Sequence, residues 1–142
     1  MSKFLRITYG CLLTLLCGAC AFFLYLLCNS PAFEAGESYT FYLGKSSSAQ
    51  AVFSETPALD KLLLNGVRGE SAVYSGNVYE ELKTKYRAKL LFTEEAAGVI
   101  NYYLYSPVLG SGIELGGKTV NLHVAVSAEQ TAAGTPVIFG GF

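Results

Sequence analysis

The chain has 142 residues, 51% of them hydrophobic, with ten basic and eleven acidic side chains and a formal net charge of −1. Residues 29–142 alone carry eight bases and all eleven acids, a net of −3. Phosphate backbones are held by basic patches, and the one local cluster, Lys83, Lys85, Arg87 and Lys89, is small, so nucleic acid is excluded as a partner class.

Residues 7–28 contain no charged side chain. At ~1.5 Å per residue they form a helix of about 33 Å, enough to cross a hydrocarbon layer of ~30 Å. Lys3 and Arg6 precede the run, and the next base is Lys45. The bias of Lys and Arg toward the cytoplasmic side then predicts a single-pass signal-anchor in the cell membrane, with residues 1–28 as cytoplasmic end and span and the remainder extracytoplasmic. Two other readings exist. A cleaved signal peptide, giving a secreted protein, would use the small residues around Ser30-Pro31-Ala32, but its apolar core usually runs only about 7–15 residues and proline suits that site badly. A lipoprotein would use Cys20 in Leu16-Cys17-Gly18-Ala19-Cys20, but Cys20 lies in the middle of the run. The anchor fits better than either.

All four cysteines, Cys11, Cys17, Cys20 and Cys28, fall in this run. Cys17-x-x-Cys20 is therefore read as small apolar side chains on a helix rather than a redox pair, and a zinc site would need thiolates in hydrocarbon. The domain that follows carries no disulfide framework. Residues 29–37 read as a polar connector with Pro31 and Gly36, and residues 38–142 as one domain, large enough to bury a core without staples.

Within it, Tyr39-Thr40-Phe41-Tyr42-Leu43 is aromatic and β-prone, residues 44–48 are turn material, and residues 49–53 return as a hairpin partner. Thr56 as N-cap, Pro57 at the first position, Leu59, Leu62 and Leu63 on one side and Asn65-Gly66 as terminator predict a short helix. A strand over 67–74 follows. Asn77-Val78-Tyr79-Glu80 resembles a capping box opening a helix to about Lys89, with Val78, Leu82 and Tyr86 inward and a Glu81–Lys85 pair outward. Residues 89–93 and 99–106 then alternate as strands, the second ended by Pro107. Gly116-Gly117 signals a hairpin between residues 113–115 and 118–126. That last strand has Val120, Leu122, Val124 and Val126 on one side and Thr119, Asn121, His123 and Ala125 on the other, which predicts a half-buried position. Residues 137–139 supply a final strand. Hairpin-linked strands beside two helices define an α+β class: one antiparallel sheet with both helices on one face, behind an N-terminal transmembrane helix.

Ser106-Pro107, Ile113, Gly116, Val120-Asn121-Leu122-His123-Val124-Ala125 and Gly134-Thr135-Pro136-Val137-Ile138 resemble the C-terminal half of the YwmB-like proteins. Those are exported Firmicutes proteins of unassigned activity with a fold similar to the TATA-box-binding domain. The resemblance implies a curved antiparallel sheet with helices on its convex side. It implies no DNA binding, since the domain is acidic and predicted outside the cytoplasm. The chain departs from the pattern in its shorter length, its retained anchor and a compressed loop over 128–133. No functional residue is carried over.

Catalytic signatures are weak. His123 is the single histidine, and its same-face strand neighbours are Asn121 and Ala125 rather than a carboxylate. Glu94-Glu95 reads as a solvated turn before Gly98, and Arg68-Gly69-Glu70 and Ser46 to Ser48 read as loop, without a glycine-rich phosphate cradle. No cofactor and no metal site is expected. The stronger signal is aromatic: Asn101, Tyr103 and Tyr105 share one strand face, and tyrosine anchors interfaces at little entropic cost. With Asn121 and His123 they form the candidate interaction surface. The leading expectation is a membrane-anchored binding or scaffolding module for a protein or envelope component, in cell-envelope or sporulation processes. A small envelope hydrolase or ligand-binding enzyme centred on His123 is the alternative, and a domain that merely positions the membrane helix is a third reading.

Overall fold

A computed structural model describes residues 2–44 and 50–138. The chain divides into two compact units, Met1–Ser30 and Pro31–Phe142.

The first unit is helix α1, Lys3–Cys28, 26 residues long and about 39 Å at ~1.5 Å per residue. It is long and apolar enough to cross a membrane. The helix begins one turn before the uncharged run because Ser2 caps it, its hydroxyl accepting from the Leu5 amide at 3.3 Å. Thr8 and Thr14 donate their hydroxyls to the carbonyls of Leu5 and Gly10, at 2.8 and 2.9 Å. Such back-bonding satisfies hydroxyls that hydrocarbon could not.

In the second unit, β1 (Ser38–Leu43), β2 (Gln50–Ser54), β3 (Val67–Ser75), β4 (Lys89–Ala96), β5 (Val99–Tyr105), β8 (Leu122–Val126) and β9 (Gln130–Thr135) form one sheet. Its order is β2-β1-β3-β9-β8-β5-β4, with every neighbouring pair antiparallel. The connection from β3 to β4 spans the sheet, and the β8–β9 hairpin fills the gap between β3 and β5. β6 (Ile113–Leu115) and β7 (Lys118–Val120) make a separate ribbon, turned by Gly116 and Gly117 at positive φ of 56° and 74°. Helices α2 (Pro57–Leu63) and α3 (Tyr79–Lys85) lie against the same face, as the α+β reading expected.

The core sits under α3. Tyr79, Leu82 and Tyr86 meet Ala72, Leu104, Leu122, Val124 and Ala133 of the sheet. Phe33 enters from the segment expected as a connector: it is 2% exposed and meets Tyr86 edge-on at 5.7 Å. Residues 31–37 therefore pack as part of the compact unit. Their backbone is tied down by the Glu70 carboxylate, which accepts from the Ala32 amide, and by the Tyr86 hydroxyl, which donates to the Ala32 carbonyl.

Four other elements depart from the sequence reading. α3 stops at Lys85, not Lys89, because Arg87 turns left-handed at φ 50° and the amides of Arg87 and Ala88 bond back to Thr84 and Lys83, a Schellman closure. Lys85 pairs with Glu34 at 3.0 Å instead of with Glu81. α2 leaves Leu59 and Leu63 exposed; polar contacts hold it, with Asp60 accepting from Ser54 and Thr56 and Lys61 3.0 Å from the buried Glu70 carboxylate. The strand expected over 118–126 breaks at Asn121, which is 1% exposed and spends its side chain on the Ser106 amide, the Ser106 carbonyl and the Gly110 carbonyl. Finally, β9 occupies the stretch expected as a loop, while Val137 and Ile138 lie outside any strand. Phe139 and the turn at 45–48 fall outside the described residues.

Candidate functional site

Alternation along β5 decides the candidate surface. Tyr102 and Leu104 point to the helix face, where Tyr102 stacks on Tyr79 at 3.9 Å and Leu104 is fully buried. Asn101, Tyr103 and Tyr105 point to the other face. Register then places Phe92 of β4 and His123 of β8 on either side of Tyr103.

The three rings form one ladder. Phe92 and Tyr103 stack at 4.5 Å with 17° between planes, and Tyr103 and His123 at 4.6 Å with 14°. Such cross-strand ring pairs contribute about 0.5–1.5 kcal/mol each beyond area burial. Lys118 caps the outer end, its ammonium 5.7 Å from the Phe92 ring centre and 3.1 Å from the Leu91 carbonyl. The Tyr103 hydroxyl donates to Glu94 at 3.1 Å, and its pKa is raised by burial first and by this carboxylate second. Tyr105 lies at the end of the strand, 44% exposed.

His123 anchors the inner end and is 7% exposed. The Ile138 amide donates to its Nδ1 at 3.2 Å, so Nδ1 is the bare nitrogen, and Nε2–H donates to the Asn101 side-chain oxygen at 2.9 Å. Burial pushes the imidazole down to about 4, so at neutral pH it is uncharged. Both ring nitrogens are committed to protein partners, and neither partner is a carboxylate. The half-buried position expected for this strand is corrected: all five residues of β8 are buried. β8 is central, α3 and Phe33 cover one side, and residues 136–138 turn back over the other. Gly134 permits that approach, since a Cβ there would stand 2.7 Å from Ile138 Cγ1.

Of the five expected surface residues, Asn101, Tyr103 and His123 are brought into direct contact and Tyr105 extends the same face, while Asn121 is an internal brace for the loop after β5. Sequence reasoning missed Phe92, Lys118 and Glu94. Phe92 was within reach through alternation, but a register shift between Leu90 and Phe92 sets which of its neighbours shares a face. Glu94 and Glu95, expected in a turn, belong to β4 and project to opposite faces; the turn is Ala97-Gly98, at φ 52° and 77°. Arg68, Gly69 and Glu70 lie within β3, where the strand expected over 67–74 has them, and not in a loop. Ser46 to Ser48 fall outside the described residues.

Compared with family models, curated proteins and solved structures, the chain finds no match.

Proposed function

We propose that this protein is a membrane-anchored binding module, its folded unit outside the cytoplasm, that docks a protein segment on the sheet face carrying Tyr103. The observation behind this reading is the ring ladder Phe92–Tyr103–His123, continued by the exposed Tyr105 and flanked by Lys118 and Glu94. Rigid, pre-stacked aromatic rings offer contact area without a further ordering cost, and the two charges at the rim give a partner its register. The distribution of Lys3, Arg6 and Lys45 about α1 supports the orientation. Membership of the YwmB-like proteins, and with it a role in cell-envelope or sporulation processes, belongs to the same proposal; an antiparallel sheet with both helices on one face is consistent with it.

The docking reading is preferred to one centred on His123, whose two ring nitrogens are bonded to Asn101 and to the Ile138 amide. Affinity purification of the anchored full chain with chemical crosslinking tests the docking reading. Wild type yields a defined crosslinked protein, and Tyr105→Ala and Tyr103→Ala lose it at unchanged expression and unchanged circular dichroism. Retention of the same crosslinked species by both variants would overturn it.

A further inference from the structure

Helix α2 is turned inside out. Leu59 and Leu63, four residues apart and so on one side of the helix, are 57% and 71% exposed, and no residue of α2 is buried. Its charged side chains are instead engaged by the unit: Asp60 accepts from Ser54 at 2.5 Å and from Thr56 at 3.2 Å, and the Lys61 ammonium lies 3.0 Å from the Glu70 carboxylate, itself 6% exposed. A surface helix of a globular unit normally does the reverse, with its apolar stripe against the core. Here the leucines are held outward, toward whatever lies beyond the helix.

Connectivity limits what that can be. Glu70 Oε1 accepts both from Lys61 of α2 and from the Ala32 amide, and the Ala32 carbonyl accepts from the Tyr86 hydroxyl. Ala32 is thus a fixed point of chain entry into the folded unit, and a single carboxylate joins it to α2. On the other side, the Ser30 amide still bonds back to the Leu27 carbonyl at 3.4 Å, in the turn that closes α1. From Ser30 to Ala32 is two residue steps, no more than about 7 Å of chain.

We propose that α2 rests on the lipid surface of the membrane that α1 crosses, with Leu59 and Leu63 immersed at the boundary between headgroups and acyl chains. The proposal rests on the anchor reading of α1 and is independent of docking at Tyr103. An interfacial helix needs an apolar side for the acyl chains and a backbone already hydrogen-bonded, and α2 brings both, formed in advance by its contacts with the unit. Lipid is the occupant rather than a soluble partner, because so short a leash holds the bilayer surface beside the point of entry at all times, a local concentration no diffusing protein matches. Attachment at two places, the chain at Ala32 and the leucines of α2, then restricts how the folded unit turns over the bilayer.

The chain contains no tryptophan, so a single introduced one reports its own surroundings. Full chains carrying Leu63→Trp, Leu24→Trp in α1 or Ala128→Trp are placed singly in phosphatidylcholine nanodiscs, with and without bromine on the acyl chains just below the headgroups. Ala128 is exposed in the turn before β9, at the end of the sheet away from Glu70: the β3–β9 register runs from Glu70 opposite Thr135 to Ser75 opposite Gln130, about 17 Å. Bromine is expected to quench Leu63→Trp at least about half as strongly as Leu24→Trp and to leave Ala128→Trp unchanged. Adding Leu59→Asp to Leu63→Trp is expected to reduce that quenching roughly twofold or more, at unchanged circular dichroism. A Leu63→Trp quenched no more than Ala128→Trp, beside a quenched Leu24→Trp, overturns the proposal, leaves the anchor standing and returns α2 to a soluble partner. Quenching undiminished by Leu59→Asp overturns it as well, and an unquenched Leu24→Trp overturns the anchor reading and this proposal together.

Discussion

Tyr102 and Tyr103 are neighbours in one strand and meet opposite fates. Tyr102 stacks beneath α3 on Tyr79, inside a face closed by the helix and by Phe33, whereas Tyr103 stacks sideways between Phe92 and His123 on the face opposite α2 and α3. The sheet therefore uses aromatic rings in two ways: across layers, where they join helix to strand, and along a layer, where they join strand to strand. Burial follows from what lies over a position and not from alternation alone. That is why His123 and Ala125, on the side opposite α2 and α3, are buried like Val124 on the helix side, while Tyr105 is not.

If the helix face carries most of the stability, the largest effect belongs there. Leu104→Ala removes a fully buried side chain under α3 and should cost about 2–5 kcal/mol, read as a lower denaturant midpoint for the folded unit in the full chain. A loss no greater than that of Tyr105→Ala would erase the distinction between the faces.

The next effect separates the covered centre of the other face from its open edge. Burial lowers the His123 pKa from 6.5 to about 4. Between those values the unfolded chain binds a proton that the folded chain refuses, so the contribution is fully present above pH 6.5 and is lost as pH falls toward 4. Its size is of order 3 kcal/mol, from about 1.4 kcal/mol per pH unit. His123→Gln keeps a polar side chain but cannot titrate. The stability gap between wild type and this variant should shrink across that interval, and a gap that is flat with pH would mean that the centre of this face is open to water.

Much of this arrangement was legible in the chain. The charge-free run, the β1–β2 hairpin, the start of α2 at Pro57 and the Gly116-Gly117 turn are local signals, set by composition, a proline or two left-handed glycines, and each appears where its chemistry puts it. What could not be read was non-local. β9 has only Thr131 and Thr135 as strand formers among Gln, Ala and Gly, and exists because small side chains fit between β3 and β8 and beneath residues 136–138. The break at Asn121 depends on a loop eleven to fifteen residues away. The alternation of β5 put Asn101, Tyr103 and Tyr105 on one face correctly, but the partners that turn them into a ladder come from β4 and β8, through a register the sequence does not display.

The smallest stability effect is the most informative about the open face. Tyr105 is 44% exposed, and no ring stacks on it among the described residues, so Tyr105→Ala should shift stability by no more than about 0.5 kcal/mol. Tyr103→Ala, which breaks two stacks and the bond to Glu94, should cost more, roughly 1–3 kcal/mol. Stability and docking then pull apart at position 105 and travel together at position 103. A chain that loses its crosslinked partner on Tyr105→Ala while unfolding at the wild-type midpoint uses that ring for contact alone. One that loses stability there by as much as at position 103 has an edge that belongs to the core, and the two faces differ only in which element covers them.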